Sequence, residues 1–312
     1  MGVKGTYRNI GSSKPYAATV ISAIQRRWKN VIKKREFDIV ITPESRGGSS
    51  VLSEMIRYRD LIFLMVRRDF ISNYKQTVLG PAWAIVQPMV STIITAFVFG
   101  GLAGLSPSGI PVFLFYMIGQ IFWNFFSSCL TGSSNTFLNH VNLLSKIYFP
   151  RFVMPITDGL SRLLSLLIQI ILFIVFYIGY LISGAPLRLH WTAILIPLYI
   201  VHLAALGIGV GSILSAFTTK YRDTVFLMGY ISTFWMYVTP IVYDISIIPD
   251  KYLFLYMMNP ATPIINHIRY AVFNQGMLNW GYYFISLAVS AVILAAGYKV
   301  FNRVERTFVD TI

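Results

Sequence analysis

Acidic residues and cysteine are what this sequence has least of. Only 12 Asp and Glu stand among 312 residues, against 26 Lys and Arg. A single cysteine, Cys129, excludes a disulfide framework and a cysteine-based zinc site. The four histidines, His140, His190, His202 and His267, are scattered without metal-ligand spacing. Charged residues make up 12% of the chain, about half of the ~25% usual in a soluble domain. No G-x-x-x-x-G-K-[ST] phosphate loop occurs, so any ATP that drives this protein is hydrolysed on another chain. Residues 1–50 lack the apolar core of a signal peptide.

What is abundant is apolar. Hydrophobic residues reach 55%, aromatics 15%, and the mean hydropathy is +0.63. That leaves too little polar surface for a water-soluble globule, which argues against both a soluble enzyme and a disordered chain. Apolar runs long enough to cross the ~30 Å hydrocarbon core fall near 82–104, 112–136, 153–183, 191–217, 224–243 and 281–301. A lone crossing segment must satisfy its own backbone, so these are expected to be helices, six in all. Barrel strands would be shorter and alternating.

Charge placement orients the chain. Fifteen of the basic residues precede residue 80, and 22 of the 26 fall on one side if the amino terminus is cytoplasmic. Only Arg188, Lys251 and Arg269 then lie outside, with Arg162 inside the third span. The positive-inside rule therefore predicts two cytoplasmic termini. The +14 formal charge is read as topology and contact with anionic lipid, and nucleic-acid binding is not expected. Residues 1–51 form a basic cytosolic tail and 303–312 a cytosolic end, flanking a membrane domain over 81–302.

Three segments are not simple spans. Residues 52–80 place Arg57, Asp60, Arg67, Arg68 and Lys75 on one helical face and Met55, Tyr58, Ile62, Met65 and Val66 on the other, with Leu64 and Ile71 interrupting the charged side. This predicts an amphipathic interface helix, ended by Gly80-Pro81. It is either a membrane anchor or a surface for a cytosolic partner, and amphipathicity alone favours the anchor. The connection 137–152 is half apolar, with Leu143, Leu144 and Ile147 on one side. Such a surface meets another protein or folds back on its own chain. Residues 244–280 are broken by Pro249, Asn259-Pro260 and Pro263 into stretches too short to span, expected to be interfacial or re-entrant on the outer side.

Isolated motifs carry less. Gly207-x-Gly209-x-Gly211 lies in an apolar span without the strand and acid of a dinucleotide site, so helix packing is the better reading. Asp158 and Arg162, four apart, fit a self-neutralising pair near the interface. Phe226, Tyr230, Phe234 and Tyr237 form one stripe of the fifth span. Aromatic stripes of this kind either pack between helices or line a path on which pyranose rings slide.

Several blocks resemble one family when taken together. They are Arg57-Tyr58-Arg59-Asp60-Leu61, Arg68-Asp69, Tyr74-Lys75-Gln76-Thr77-Val78-Leu79-Gly80-Pro81-Ala82-Trp83, and Gln87-Pro88. Further along come Asn142 to Arg151, Tyr221-Arg222-Asp223, Thr239-Pro240-Ile241-Val242-Tyr243 and Met258-Asn259-Pro260. In order along 52–302, they resemble the permease subunits of type-2 ABC exporters for surface polysaccharides (O-antigen, capsule or teichoic acid). The resemblance implies an all-α integral membrane subunit of the bacterial inner membrane. It would form a homodimer and associate with two copies of an ABC ATPase, on which ATP and Mg would be bound, this chain carrying no cofactor or catalytic residue. It further implies that Asn142, Leu143, Leu144, Lys146, Ile147, Tyr148, Arg68 and Asp69 couple to the ATPase. Phe226, Tyr230, Phe234 and Tyr237 would face the glycan path. Tyr252, Tyr256, Asn259, Pro260, Ile264 and Tyr270 would form an external gate.

The expected substrate is an undecaprenyl-diphosphate-linked O-antigen-like glycan, with teichoic-acid or capsular export as alternatives in the same family. An ATP-independent flippase or membrane glycosyltransferase is the rival from another class. Its acidic candidates, Asp158, Asp223, Asp244 and Asp250, are spread over both sides of the membrane, which disfavours it.

Overall fold

The computed structural model describes residues 56–75, 79–105, 109–140, 152–221 and 223–309. The chain divides into two units, 1–49 and 50–312, and all described residues belong to the second. Their regular structure is all helical. In chain order the helices are α1 (Arg59–Tyr74), α2 (Trp83–Thr95), α3 (Val112–Ser134), α4 (Val153–Ile182) and α5 (Ile196–Lys220). Then follow α6 (Thr224–Val238), α7 (Asp250–Met258), α8 (Ala261–Phe273) and α9 (Trp280–Val309). A single turn, Thr136–Asn139, follows α3.

Among the described residues, five segments are long and apolar enough to cross a membrane: Trp83–Leu102, Val112–Ser134, Val153–Ile182, Trp191–Lys220 and Trp280–Val304. The chain is an all-α, multi-pass membrane protein. The expected span near 224–243 is shorter than its apolar run. Helix α6 has 15 residues, about 22 Å at 1.5 Å per residue, and Thr239 is already extended. The cause is Pro240, which has no N–H to donate and disfavours helical backbone in the residue before it. Local chemistry sets the other ends too. Gly80, at φ 53°, turns the chain into a 3-10 turn that leads directly into α2. Asn274, left-handed at φ 51°, ends α8.

Helix α3 is the axis of the bundle: 17 of its 23 residues are buried. It packs against α4 and α5, while α5 packs equally closely against α9. Phe115, Phe122, Phe126 and Leu130 of α3 lie in the core with Leu203 and Leu206 of α5. The outer faces of α2, α4 and α9 expose Ile93, Ile94, Ile171, Val175, Ile285 and Val292, as a lipid-solvated surface requires. Helix α1 buries Ile62 and Met65 against the bundle and packs on α4. It exposes Arg57, Asp60, Arg67 and Arg68, but also Phe63 and Leu64.

The glycines of α5 explain why its contacts are so close, and they work on two sides. Gly207 and Gly211 face α3: a Cβ at Gly207 would sit 2.9 Å from Cys129 Cβ, and one at Gly211 would meet the Leu130 carbonyl and, at 2.7 Å, Ser133 Cβ. Gly209 faces the opposite way: a Cβ there would lie 2.9 Å from Leu294 Cα of α9, where Gly297 answers it. In lipid there is little hydrophobic drive between helices, so association depends on such close approach. Cys129 is buried at this contact, beside Gly159 and Gly207.

Gly211→Val forces α5 away from α3 and is expected to cost about 1–3 kcal/mol, read as a lower melting temperature of detergent-purified protein. Gly179→Ala, where nothing lies within 4 Å, is expected to melt as wild type.

Candidate functional site

The described spans carry an unusual number of hydroxyl and amide side chains, and the fold gathers many of them into one groove. Helix α2 buries only Ala84, Pro88, Thr92 and Thr95, a stripe of small and polar residues facing α3. Gln120 Nε2 of α3 donates to Thr95 Oγ1 at 3.3 Å, and Thr95 Oγ1 donates to the Ser91 carbonyl at 2.8 Å. Ser127 of α3 and Ser232 of α6 share a hydrogen bond of 2.6 Å. Two cavities follow this seam. One, of about 470 Å³, lies among α2, α3 and α6 and includes Ser91, Gln120, Thr233 and Tyr237. The other, of about 320 Å³, lies among α2, α3 and α4 and includes Gln87, Ser128, Arg162 and Gln169. Asn124 and Ser127 line both.

Among the described residues, no acidic side chain lines either cavity, and no group of His, Cys, Asp or Glu could hold a metal ion. The seam offers many exchangeable hydrogen bonds, which suits a polyhydroxyl ligand that must move.

Of the aromatic stripe, Tyr237 lines this groove. Phe226 and Tyr230 are each 75% exposed, Phe234 71% and Tyr237 48%. Helix α6 buries only Met228 and Ser232. Among the described residues Phe226, Tyr230 and Phe234 are thus largely left out of the packing, whereas Tyr237 is half-buried with its ring 6.4 Å from that of Phe99.

Past α6 the chain turns back through α7 and α8. Asn259 fastens this turn: Trp235 Nε1 donates to its Oδ1 at 2.9 Å, and its Nδ2 donates to Thr239 Oγ1 at 2.8 Å. The Pro260 carbonyl accepts from Ser286 of α9 at 2.6 Å. Ile264 is fully buried, Tyr270 stacks edge-on with His190, and Tyr252 is exposed. Tyr256 meets Tyr243 edge-on.

Arg269 was not singled out from sequence, yet it organises this end. It is 5% exposed and donates to the carbonyls of Pro240, Ile241 (2.6 Å) and Tyr243 (3.3 Å). These carbonyls lie just past the end of helix α6, beyond its regular ladder. Its guanidinium stacks 3.9 Å over the Phe115 ring. Burial brings its pKa down to about 10, so it stays charged at neutral pH. Gly119 makes room for it, since a Cβ there would lie 2.8 Å from Arg269 Nη2.

At the α1 end of the bundle a second polar network replaces the expected Asp158–Arg162 pair. Asp158 accepts from Thr136 Oγ1 at 3.0 Å and lies 3.0 Å from His140 Nε2. Arg68 Nη2 lies 3.4 Å from His140 Nδ1. Because arginine only donates, Nδ1 is the acceptor and Nε2–H faces Asp158. Arg68 also pairs with Asp69 at 2.7 Å, and Ser161 donates to Asp69 at 3.3 Å. This network ties α1 to α4. Asn142, Leu143, Leu144, Lys146, Ile147 and Tyr148 lie outside the described residues.

Arg269→Met removes the donor to three carbonyls and is expected to cost at least about 2 kcal/mol. Limited proteolysis should then cut first within 239–260.

A profile of the ABC-2 type transporter family matches residues 60–273. The chain is 27% identical over 252 residues to an O-antigen export system permease protein, RfbA, of Klebsiella pneumoniae, covering 80% of this chain and 94% of that protein. It is 24% identical over 265 residues to the O-antigen export system permease protein RfbA of Myxococcus xanthus, covering 84% and 99%. With the family profile spanning more than half of a chain built of apolar crossing helices, this protein belongs to the ABC-2 type transporter membrane family.

Proposed function

We propose that this chain is the channel-forming subunit of an ATP-driven exporter for a lipid-linked surface polysaccharide of O-antigen type. One observation carries the reading: a polar groove inside the bundle, lined in part by Tyr237, from which the exposed aromatic stripe of α6 continues along the helix. A long polar polymer must slide, so its contacts should be many, weak and non-directional. Aromatic faces meet that need, and the hydroxyls beside them add hydrogen bonds that are weak and readily exchanged. Buried charges would hold sugar hydroxyls at fixed points and demand desolvation at each step.

The same reading assigns partners. A second copy of this chain would close the open side of α6, giving a path between two protomers. ATP and Mg would be bound on two ATPase chains, and the segment around Asn142 to Tyr148, with Arg68 and Asp69, would transmit their motion. The network that joins α1 to α4 supports that role, because it makes α1 move with the bundle. Helices α7 and α8, with Tyr252, Tyr256, Asn259, Pro260, Ile264 and Tyr270, would close the outer end of a resting channel. Both termini would then be cytoplasmic and the membrane the bacterial inner one. The relatives in Klebsiella pneumoniae and Myxococcus xanthus are O-antigen export permeases, which favours O-antigen among the surface glycans.

Tyr230→Ala tests the path. Because Tyr230 is exposed, the purified subunit should melt within about 0.5 kcal/mol of wild type, while surface polysaccharide falls. Normal export with normal assembly would refute the path. The ATPase contact is tested by cysteine cross-linking from position 144, which should give a product with the ATPase chain. Leu144→Asp should lower co-purification of that chain by burying a charge at the contact.

A further inference from the structure

The groove among α2, α3 and α6 is built from helices that carry no charged side chain. From Gln76 to Ser145 the sequence has no Asp, Glu, Lys or Arg, and it has none from Thr224 to Tyr243. Every described residue lining the cavity of about 470 Å³ comes from these two stretches. Charge in the described spans falls on other helices, as with Asp158 and Arg162 of α4 and Lys299 of α9.

Two hydroxyls of this lining are set in one sense. Thr95 Oγ1 gives its hydrogen to the Ser91 carbonyl at 2.8 Å, and Thr233 Oγ1 gives its own to the Gly229 carbonyl at 2.9 Å. Each oxygen is left with lone pairs to offer, and Thr95 already accepts from Gln120 Nε2 at 3.3 Å. Sugar hydroxyls can donate to such lone pairs. Carboxylate and phosphate oxygens cannot, because when ionised they only accept. A polymer bearing an anion in every repeat would shed water at each one, with no cation in these walls to replace it. Pores that pass anions do the reverse and set Lys or Arg along the path.

We infer that this groove selects an uncharged glycan, one whose repeating unit carries hydroxyls but no carboxylate or phosphate, and that Thr233 is a position where the selection can be changed. This rests on the export reading above and divides the surface glycans by charge. A neutral chain of O-antigen type fits the groove, whereas a polyol-phosphate chain or a capsule rich in hexuronate does not. A charge confined to the lipid-linked end lies outside the repeating unit and is not selected against.

The test uses the full chain, co-expressed with its ATPase as the sole exporter, in cells that build one of two lipid-linked polymers. One is a neutral hexose chain, and the other is the same chain with a hexuronate in every repeat. Surface polymer is measured for each. Wild type should export the neutral polymer roughly tenfold better than the acidic one. Thr233 is exposed, so charged variants should assemble. Thr233→Lys puts a cation at the groove and should narrow that ratio by raising export of the acidic polymer. Thr233→Glu should widen it, and Thr233→Gln, of the same length without charge, should keep the wild-type ratio. If wild type exports the acidic polymer as well as the neutral one, or if all three variants share one ratio, the inference is overturned while the export reading stands. If wild type exports neither polymer although assembled with the ATPase, the export reading itself fails.

Discussion

A chain that interrupts its helices beside hydrocarbon must find donors for the carbonyls it frees, and in this protein one arginine does so. Beyond α6 the backbone leaves the helix at Thr239-Pro240, where the helical ladder stops. Arg269 reaches from α8 to the carbonyls of Pro240, Ile241 and Tyr243, with Phe115 of α3 beneath it. That single side chain links the end of α6, the start of the return segment and the central helix. The positions of α7 and α8 depend on it, as does the absence of a side chain at Gly119.

The bundle divides its labour between two kinds of helix surface. Helices α3, α5 and α9 meet through glycines and aromatics at distances that leave no room for adjustment. Helices α2 and α6 meet α3 through serines, threonines and amides, whose hydrogen bonds are directional but exchangeable. Motion is cheaper along the second seam than along the first. A transporter needs that difference, with a rigid half against which a looser half can shift.

Much of the architecture was legible because membrane crossing demands long apolar runs, and because proline and glycine punctuate them. The end of α6 was not, since Ile241 and Val242 continue the apolar run although Pro240 has already broken the helix. The partner of Asp158 was hidden for a different reason. Arg162 stands at helical spacing on the same strand of sequence, whereas His140 comes from beyond the end of α3. The polar groove left a signal that went unread: Ser91 and Thr95, then Gln120, Asn124 and Ser128, recur at four-residue spacing within otherwise apolar spans. Single hydroxyls in such spans are unremarkable, so only their common face distinguishes them. Whether the aromatic stripe of α6 packed or stood exposed depended on the neighbouring helices, which periodicity alone does not place.

The burial of Cys129 where α5 crosses α3 has a practical consequence. The only thiol in the chain is enclosed between helices that cannot separate without unfolding. Water-borne alkylating reagents and oxidants should pass it by. The natural protein thus serves as its own unreactive background, and every thiol signal in an engineered version reports the introduced position alone.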